Sequence, residues 1–190
     1  MAHNSFLIRP FDASDAGELF ALVAAQGHDL DAFAWRPRIA SPKDEAAFIA
    51  WARGAEAAGQ ALNRAIIVDG SLAGSASLYA PHPGAFPDIC APTLQMGYWV
   101  ARDFRGQGLA WRAMAMLCQE AALIFPAGST AGIRSRSGNG ASRACAAKLG
   151  LVLVASGLPS SFDPSDTDVA MVGPLGSPAP QPATPRRPRP

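Results

Sequence analysis

The sequence predicts a mixed α/β (α+β) domain, one central sheet with helices on both faces. Three observations predict it. Apolar spacing switches between strand-like and helix-like periods in the order strand, helix, helix, hairpin, strand, helix, strand, helix, strand, strand. An Asp-Gly pair at residues 69 and 70 joins two strand-like runs, and prolines and glycines punctuate the other joints. At 190 residues and 49% hydrophobic, the chain suits a single core.

The elements follow in order. "FLIRPF" (Phe6–Phe11) reads as a short strand, and "DASDAGELFALVAAQ" carries Leu19, Leu22 and Val23 at helical spacing behind the capping candidates Asp12 and Ser14. After a loop containing "FAWRPRIA", residues 41–58 form a second helix with Pro42 just inside its start. Residues 63–80 make the hairpin. The proline-rich "PHPGAFPDICAP" is a loop, and "TLQMGYWVA" (93–101) alternates as another strand. From Gly108 to Phe125 a helix aligns Leu109, Ala113, Leu117, Ala121 and Ile124 on one face until Pro126 ends it. "STAGIRSRS" is a weak strand, "GNGASRACAAKLG" a short helix closed by Gly150, and "LVLVAS" and "DVAMVG" are final strands. Residues 1–173 are thus one domain; the last seventeen, with seven prolines, read as a disordered tail from 174 to 190.

Composition excludes several classes of function. A net charge of +1 gives no global attraction for nucleic acid or an anionic membrane, and three tail arginines (Arg186, Arg187, Arg189) add little RNA affinity at physiological salt. No specific nucleic acid is expected. No apolar run approaches the roughly 20 residues of a membrane span, and the N-terminus lacks a signal-peptide pattern, so a cytoplasmic protein is expected. Cys90, Cys118 and Cys145 form no CxxC pair, and His3, His28 and His82 have no ligand spacing. Free thiols and no metal are expected.

Chemistry concentrates at "VARDFRGQGLA". Gly106 and Gly108 make a turn whose backbone N–H groups converge, the following helix adds unsatisfied donors and a positive dipole end, and Arg105 supplies a charge at the rim. Phosphate is the natural occupant. A P-loop is ruled out by the missing Lys, and a dinucleotide fingerprint by Trp111 where a small residue belongs. Taken alone, the two glycines fit a plain strand-to-helix turn equally well.

Register around the glycines decides further. "YWVARDFRGQGLA" resembles motif A of the GNAT acyltransferases, an apolar strand followed by R/Q-x-x-G-x-G/A, here Arg105, Gly106, Gly108 and Ala110 in the observed register. "NGASRACAAKLGL" resembles motif B of the same superfamily, with Asn139, Ser142, Lys148, Leu149 and Gly150 at the expected offsets. The opening "IRPFDASDAGELF" is similar to the branch that acetylates N-terminal amines of ribosomal proteins. The resemblance covers most of residues 6–173.

It implies a mostly antiparallel sheet and acetyl-CoA as acetyl donor. The pyrophosphate would lie on the amides of Arg105, Gly106, Gln107, Gly108, Leu109 and Ala110. The strand carrying Tyr98, Trp99 and Val100 would splay from its neighbour at the acetyl-CoA site, holding pantetheine and polarising the thioester, with Asn139 a further coenzyme contact. A fixed N–H aimed at that carbonyl stabilises the charge that develops during attack. The acceptor is a primary amine, on a protein N-terminus or a small molecule, attacking directly in a ternary complex. An α-amine near pKa 8 is roughly one-tenth neutral at pH 7, a lysine only about one part in 2,500, so an α-amine needs less help from a base.

The chain departs from the family at one position. Many members carry a Tyr seven residues after the motif B Asn to protonate the leaving thiolate, and here that residue is Ala146. Ser142 is the replacement candidate, directly or through water; helix capping is its competing role. Cys145 has no nearby His to activate it and reads as packing. Trp35 and Arg36 are candidates for binding the acceptor, as is Asp168 on the last strand pair. A non-catalytic acyl-CoA-binding module is the main alternative, and a protein binding ATP on the same turn is another. Monomer and homodimer are both compatible with the sequence.

Overall fold

The computed structural model describes residues 5–31, 33, 35–160, 163 and 165–176. Its regular elements are β1 (Phe6–Pro10), α1 (Ala16–Ala25), α2 (Pro42–Ala57), β2 (Ala61–Val68), β3 (Ser71–Tyr79), β4 (Leu94–Val100), α3 (Leu109–Ile124), β5 (Thr130–Arg136), α4 (Gly140–Lys148), β6 (Val152–Pro159) and β7 (Thr167–Pro174). The seven strands lie in one sheet, ordered β1-β2-β3-β4-β5-β7-β6. Neighbours are antiparallel except β4 and β5, which run parallel. This is the predicted mixed class and element order.

Local chemistry explains the joints. Asp69 and Gly70 both adopt positive φ, 47° and 84°, as a two-residue hairpin turn between β2 and β3 requires. Asp12 and Asp15 form a reciprocal capping box around a 3-10 turn, so α1 starts only at Ala16 and Ser14 lies inside the turn rather than at its cap. Ser41 and Asp44 form a second box, with Pro42 opening α2. At the far end of α3, Ile124 is 55% exposed, not on the buried face as expected, because the chain turns extended at Phe125.

The sheet separates two cores. On one face Ile66, Leu78, Met96, Met114, Leu117 and Ile133 pack beneath α3 and α4; on the other Phe11, Leu19, Val23, Leu30, Ile49 and Trp99 pack beneath α1 and α2. Each such side chain contributes about 1.5–3 kcal/mol of burial. Arg64, 6% exposed, joins the two layers by pairing with Glu56 of α2 at 2.7 Å and Glu120 of α3 at 2.8 Å. The fold also runs past the predicted boundary: Pro174 pairs with Thr130, and the Leu175 N–H donates to the Ser129 carbonyl at 2.9 Å. The rest of the proline-rich segment lies outside the described residues. Among the described residues no helix is long and apolar enough to cross a membrane, and no group of His, Cys, Asp or Glu side chains has a metal-binding arrangement.

Candidate active site

β4 and β5 pair only at Leu94 with Ala131 and Gln95 with Gly132. Beyond that point the strands diverge, and the facing edges of residues 96–100 and 133–136 form a V-shaped notch in the sheet. Side-chain alternation gives the notch two sides. Tyr98 and Val100 point toward α3 and α4, while Trp99 points into the core beneath α1.

The glycine turn lies where β4 leads into α3. Gly106 and Gly108 both have positive φ, 78° and 72°, a left-handed conformation that favours glycine, and Gly108 caps α3. A Cβ at Gly108 would also lie 2.8 Å from the Trp111 indole nitrogen, whereas one at Gly106 would meet nothing. Gln107 is exposed and Leu109 is buried beneath the turn. Arg105 is not a free charge at the rim: its Nε donates to the Val100 carbonyl at 2.9 Å and its guanidinium bonds Asp29 at 2.8 Å. Arg102 shares Asp29 and donates its backbone N–H to the Gln26 side chain. These arginines, Arg102 first, hold the Asp29 carboxyl below its ordinary range. The turn is thereby tied to the segment after α1, a link that residues 76 positions apart conceal in the sequence.

On the α4 side, the Asn139 side chain accepts from the Ser142 N–H at 3.0 Å as helix cap. Ser142 leaves its hydroxyl toward β4, 3.0 Å from the Tyr98 hydroxyl. Ala146, where other members carry Tyr, is fully buried beneath α4. Cys145 is buried and its thiol is pushed up by desolvation; Cys118 rises to about 12 for the same reason. Neither is an activated nucleophile.

The opposite side of the notch is different in character. Trp35 stacks obliquely against Trp99 at 6.4 Å between ring centroids and against Phe33 at 5.4 Å. Arg36 donates to the Ile39 carbonyl, and its Nε is buried without a partner among the described residues. Asp168 is 1% exposed and paired with Arg134 Nε at 2.8 Å; Arg134 in turn donates to the carbonyls of Gly84, Ala85 and Pro159. The Asp168 carboxylate is therefore an internal anchor for the loop after β3, with a cation already in place. Glu45, which the sequence pattern does not single out, is 3% exposed, and its carboxyl is pushed up to about 7 by burial, with Asp44 adding to the rise and Arg36 opposing it. Its spacing with Ile49 and Ala52, on the apolar face of α2, was the available signal.

The buried side-chain atoms without partners among the described residues are Arg36 Nε, Glu45 Oε1, Asn63 Nδ2, Gln95 Oε1, Arg136 Nε and Asp168 Oδ1. By strand alternation and helix packing, all belong to the α1/α2 side of the sheet. Buried polar groups are as a rule bonded, so such atoms mark where a polar guest or water gains bonds at little cost.

Comparison with known proteins agrees with this architecture. The acetyltransferase (GNAT) domain family matches residues 5–152. No curated protein matched the chain in a sequence search. Among solved structures, the fold is similar to RimL, a ribosomal L7/L12 alpha-N-protein acetyltransferase in complex with coenzyme A, with 18% identity, a TM-score of 0.75, and coverage of 91% of this chain and 96% of that one. It is similar to the microcin C7 self-immunity acetyltransferase MccE in complex with acetyl-CoA and AMP, with 19% identity, a TM-score of 0.74, and coverage of 90% and 93%. RimJ of Mycobacterium smegmatis, in complex with a CoA disulfide, aligns at 22% identity and a TM-score of 0.70 over 89% and 81%. With the family match spanning most of its length, the chain belongs to the GNAT acetyltransferase family.

Proposed function

We propose that the protein transfers acetyl from acetyl-CoA to a primary amine, either a protein N-terminal α-amine or a small-molecule amine, by direct attack in a ternary complex. The observation that carries this reading is the notch between β4 and β5 opening beside the glycine turn at the start of α3. Amides of residues 106–110 receive the pyrophosphate, the Arg105 N–H being already donated to the Arg102 carbonyl at 3.2 Å, and the backbone of Tyr98, Trp99 and Val100 takes pantetheine and the thioester carbonyl. Asn139 orients the first turn of α4, and Ser142 meets the departing sulfur. The acceptor enters from the α1/α2 side, beside Trp35 and Arg36, with Asp168 shaping that wall through Arg134. The unpaired cysteines fit a cytoplasmic setting.

The test is thiol release from acetyl-CoA with peptides, polyamines and aminoglycosides as acceptors. Release with at least one amine is expected. Calorimetric binding of acetyl-CoA with silence across the panel selects a non-catalytic acyl-CoA-binding module, a reading favoured by Ala146. Gly106→Ala adds one methyl group to an open but left-handed position, and acetyl-CoA affinity should fall severalfold while the fold is retained. Unchanged affinity removes the phosphate from this turn, and ATP competing as well as CoA replaces acetyl-CoA with a nucleotide.

A further inference from the structure

Ser142 alone is a poor answer to the missing tyrosine. An aliphatic hydroxyl that surrenders its proton to a thiolate becomes an alkoxide, a far stronger base than the thiolate it relieves. The structure puts a phenol beside it. The Tyr98 hydroxyl reaches across from β4 to α4, 3.0 Å from Ser142 Oγ and 3.2 Å from the Ser142 carbonyl oxygen. Tyr98 packs against the α3/α4 core, and burial raises its pKa far above the ordinary phenol value, so it keeps its proton throughout the working range. Toward Ser142 it has two hydrogen-bonding arrangements. When Tyr98 donates to the carbonyl, Ser142 donates back to the phenol; when Tyr98 donates to Oγ, the serine proton is released to point elsewhere.

We propose that Tyr98 is a positioning residue for acetyl transfer, replacing the absent helix tyrosine from the neighbouring strand by donating its hydrogen bond to Ser142 so that the serine hydroxyl donates to the departing coenzyme A sulfur. This rests on the acetyl-transfer reading above. As the amine nitrogen bonds to the thioester carbon, the carbon–sulfur bond breaks and sulfur keeps the electron pair. The amine's surplus proton passes to water, and the thiolate later takes one from water. Neither hydroxyl is deprotonated. Two hydroxyls in series strengthen each other's bonds, and a donor aimed at a developing anion is worth more in the transition state than in the ground state. The titratable and charged groups around this pair are Cys145, whose thiol contacts the phenol, Lys148 near that thiol, and Cys118 of α3. Burial raises both cysteine thiols, Cys118 to about 12.

The test uses Tyr98→Phe, Ser142→Ala and the double variant, with the full chain. Tyr98→Phe should lower kcat by up to about tenfold, the upper weight of one hydrogen bond between neutral groups. The double variant should fall no further than Ser142→Ala, because the phenol acts only through the serine. A readout that packing does not move is inhibition by free CoA between pH 6.5 and 9. In the wild type CoA should bind more tightly as the ionised fraction of its alkyl thiol grows toward the alkaline end of this range. That gain should flatten in both single variants, while desulfo-CoA, which lacks the sulfur, binds all proteins equally. Unchanged kcat in Tyr98→Phe, losses that multiply in the double variant, or parallel loss of CoA and desulfo-CoA affinity overturns the proposal. A wild-type protein that releases no thiol from acetyl-CoA overturns the acetyl-transfer reading instead.

Discussion

Glu45 shows how one residue escapes a sequence-level reading. An acid in the first turn of a helix is ordinarily a solvated partner of the helix dipole, and Asp44 beside it does take a capping role. Glu45 turns inward instead, and burial first, then Asp44, lifts its carboxyl to about 7 against the pull of Arg36. Because the folded pKa is raised, the native state holds the proton more tightly than the unfolded chain. Stability from this group is full below about 4.5 and is lost as pH rises through about 7. Glu45→Gln should therefore match the wild type near pH 4 and become the more stable protein above pH 7, by at most about 3 kcal/mol. Urea unfolding at both pH values measures this, and a difference independent of pH would place the carboxyl in contact with water.

Between elements, the most consequential contact is Arg134 of β5 with Asp168 of β7. The Arg134 side chain is 14% exposed and reaches carbonyls of the loop after β3 and of Pro159 at the end of β6, so one side chain fixes three segments on the α1/α2 side of the sheet. Asp168→Ala leaves that cation buried without its counter-charge and should cost about 3–5 kcal/mol, read from the urea midpoint, whereas pairing it with Arg134→Met should recover part of the loss. A loss below about 1 kcal/mol would mean that solvent reaches the pair. The elements were legible because periodicity and caps are local: Asp69-Gly70, Ser41 with Asp44, and Gly108 each act within four residues. Asp168 was legible as a residue of interest but not as the partner of Arg134, since strand pairing across 34 residues leaves no local mark. The same reason hid Asp29 behind Arg105 and Tyr98 behind Ser142, contacts 76 and 44 positions apart.

At the scale of the whole molecule, the notch lies where the two cores meet: Tyr98 belongs to one and Trp99 to the other, and Trp35 rests on Trp99 from the α1/α2 side. A coenzyme seated along β4, as proposed above, would add contacts to the α3/α4 layer and brace the seam with the α1/α2 layer, and it would have no equivalent site in the unfolded chain. Binding of that kind stabilises by mass action, about 2.7 kcal/mol at a hundredfold excess over Kd. For a domain of this size that is a rise in Tm of roughly 5–11 °C. Thermal unfolding with acetyl-CoA should show it, Gly106→Ala should need a higher coenzyme concentration for the same rise, and ATP should not reproduce it. The charge balance of the protein sharpens the outcome: at a net +1 there is no general attraction for a polyanion, so the rise reports the turn and the notch rather than the surface as a whole. An equal rise with ATP would show that the phosphates alone are recognised, and that pantetheine and its thioester find no place along β4.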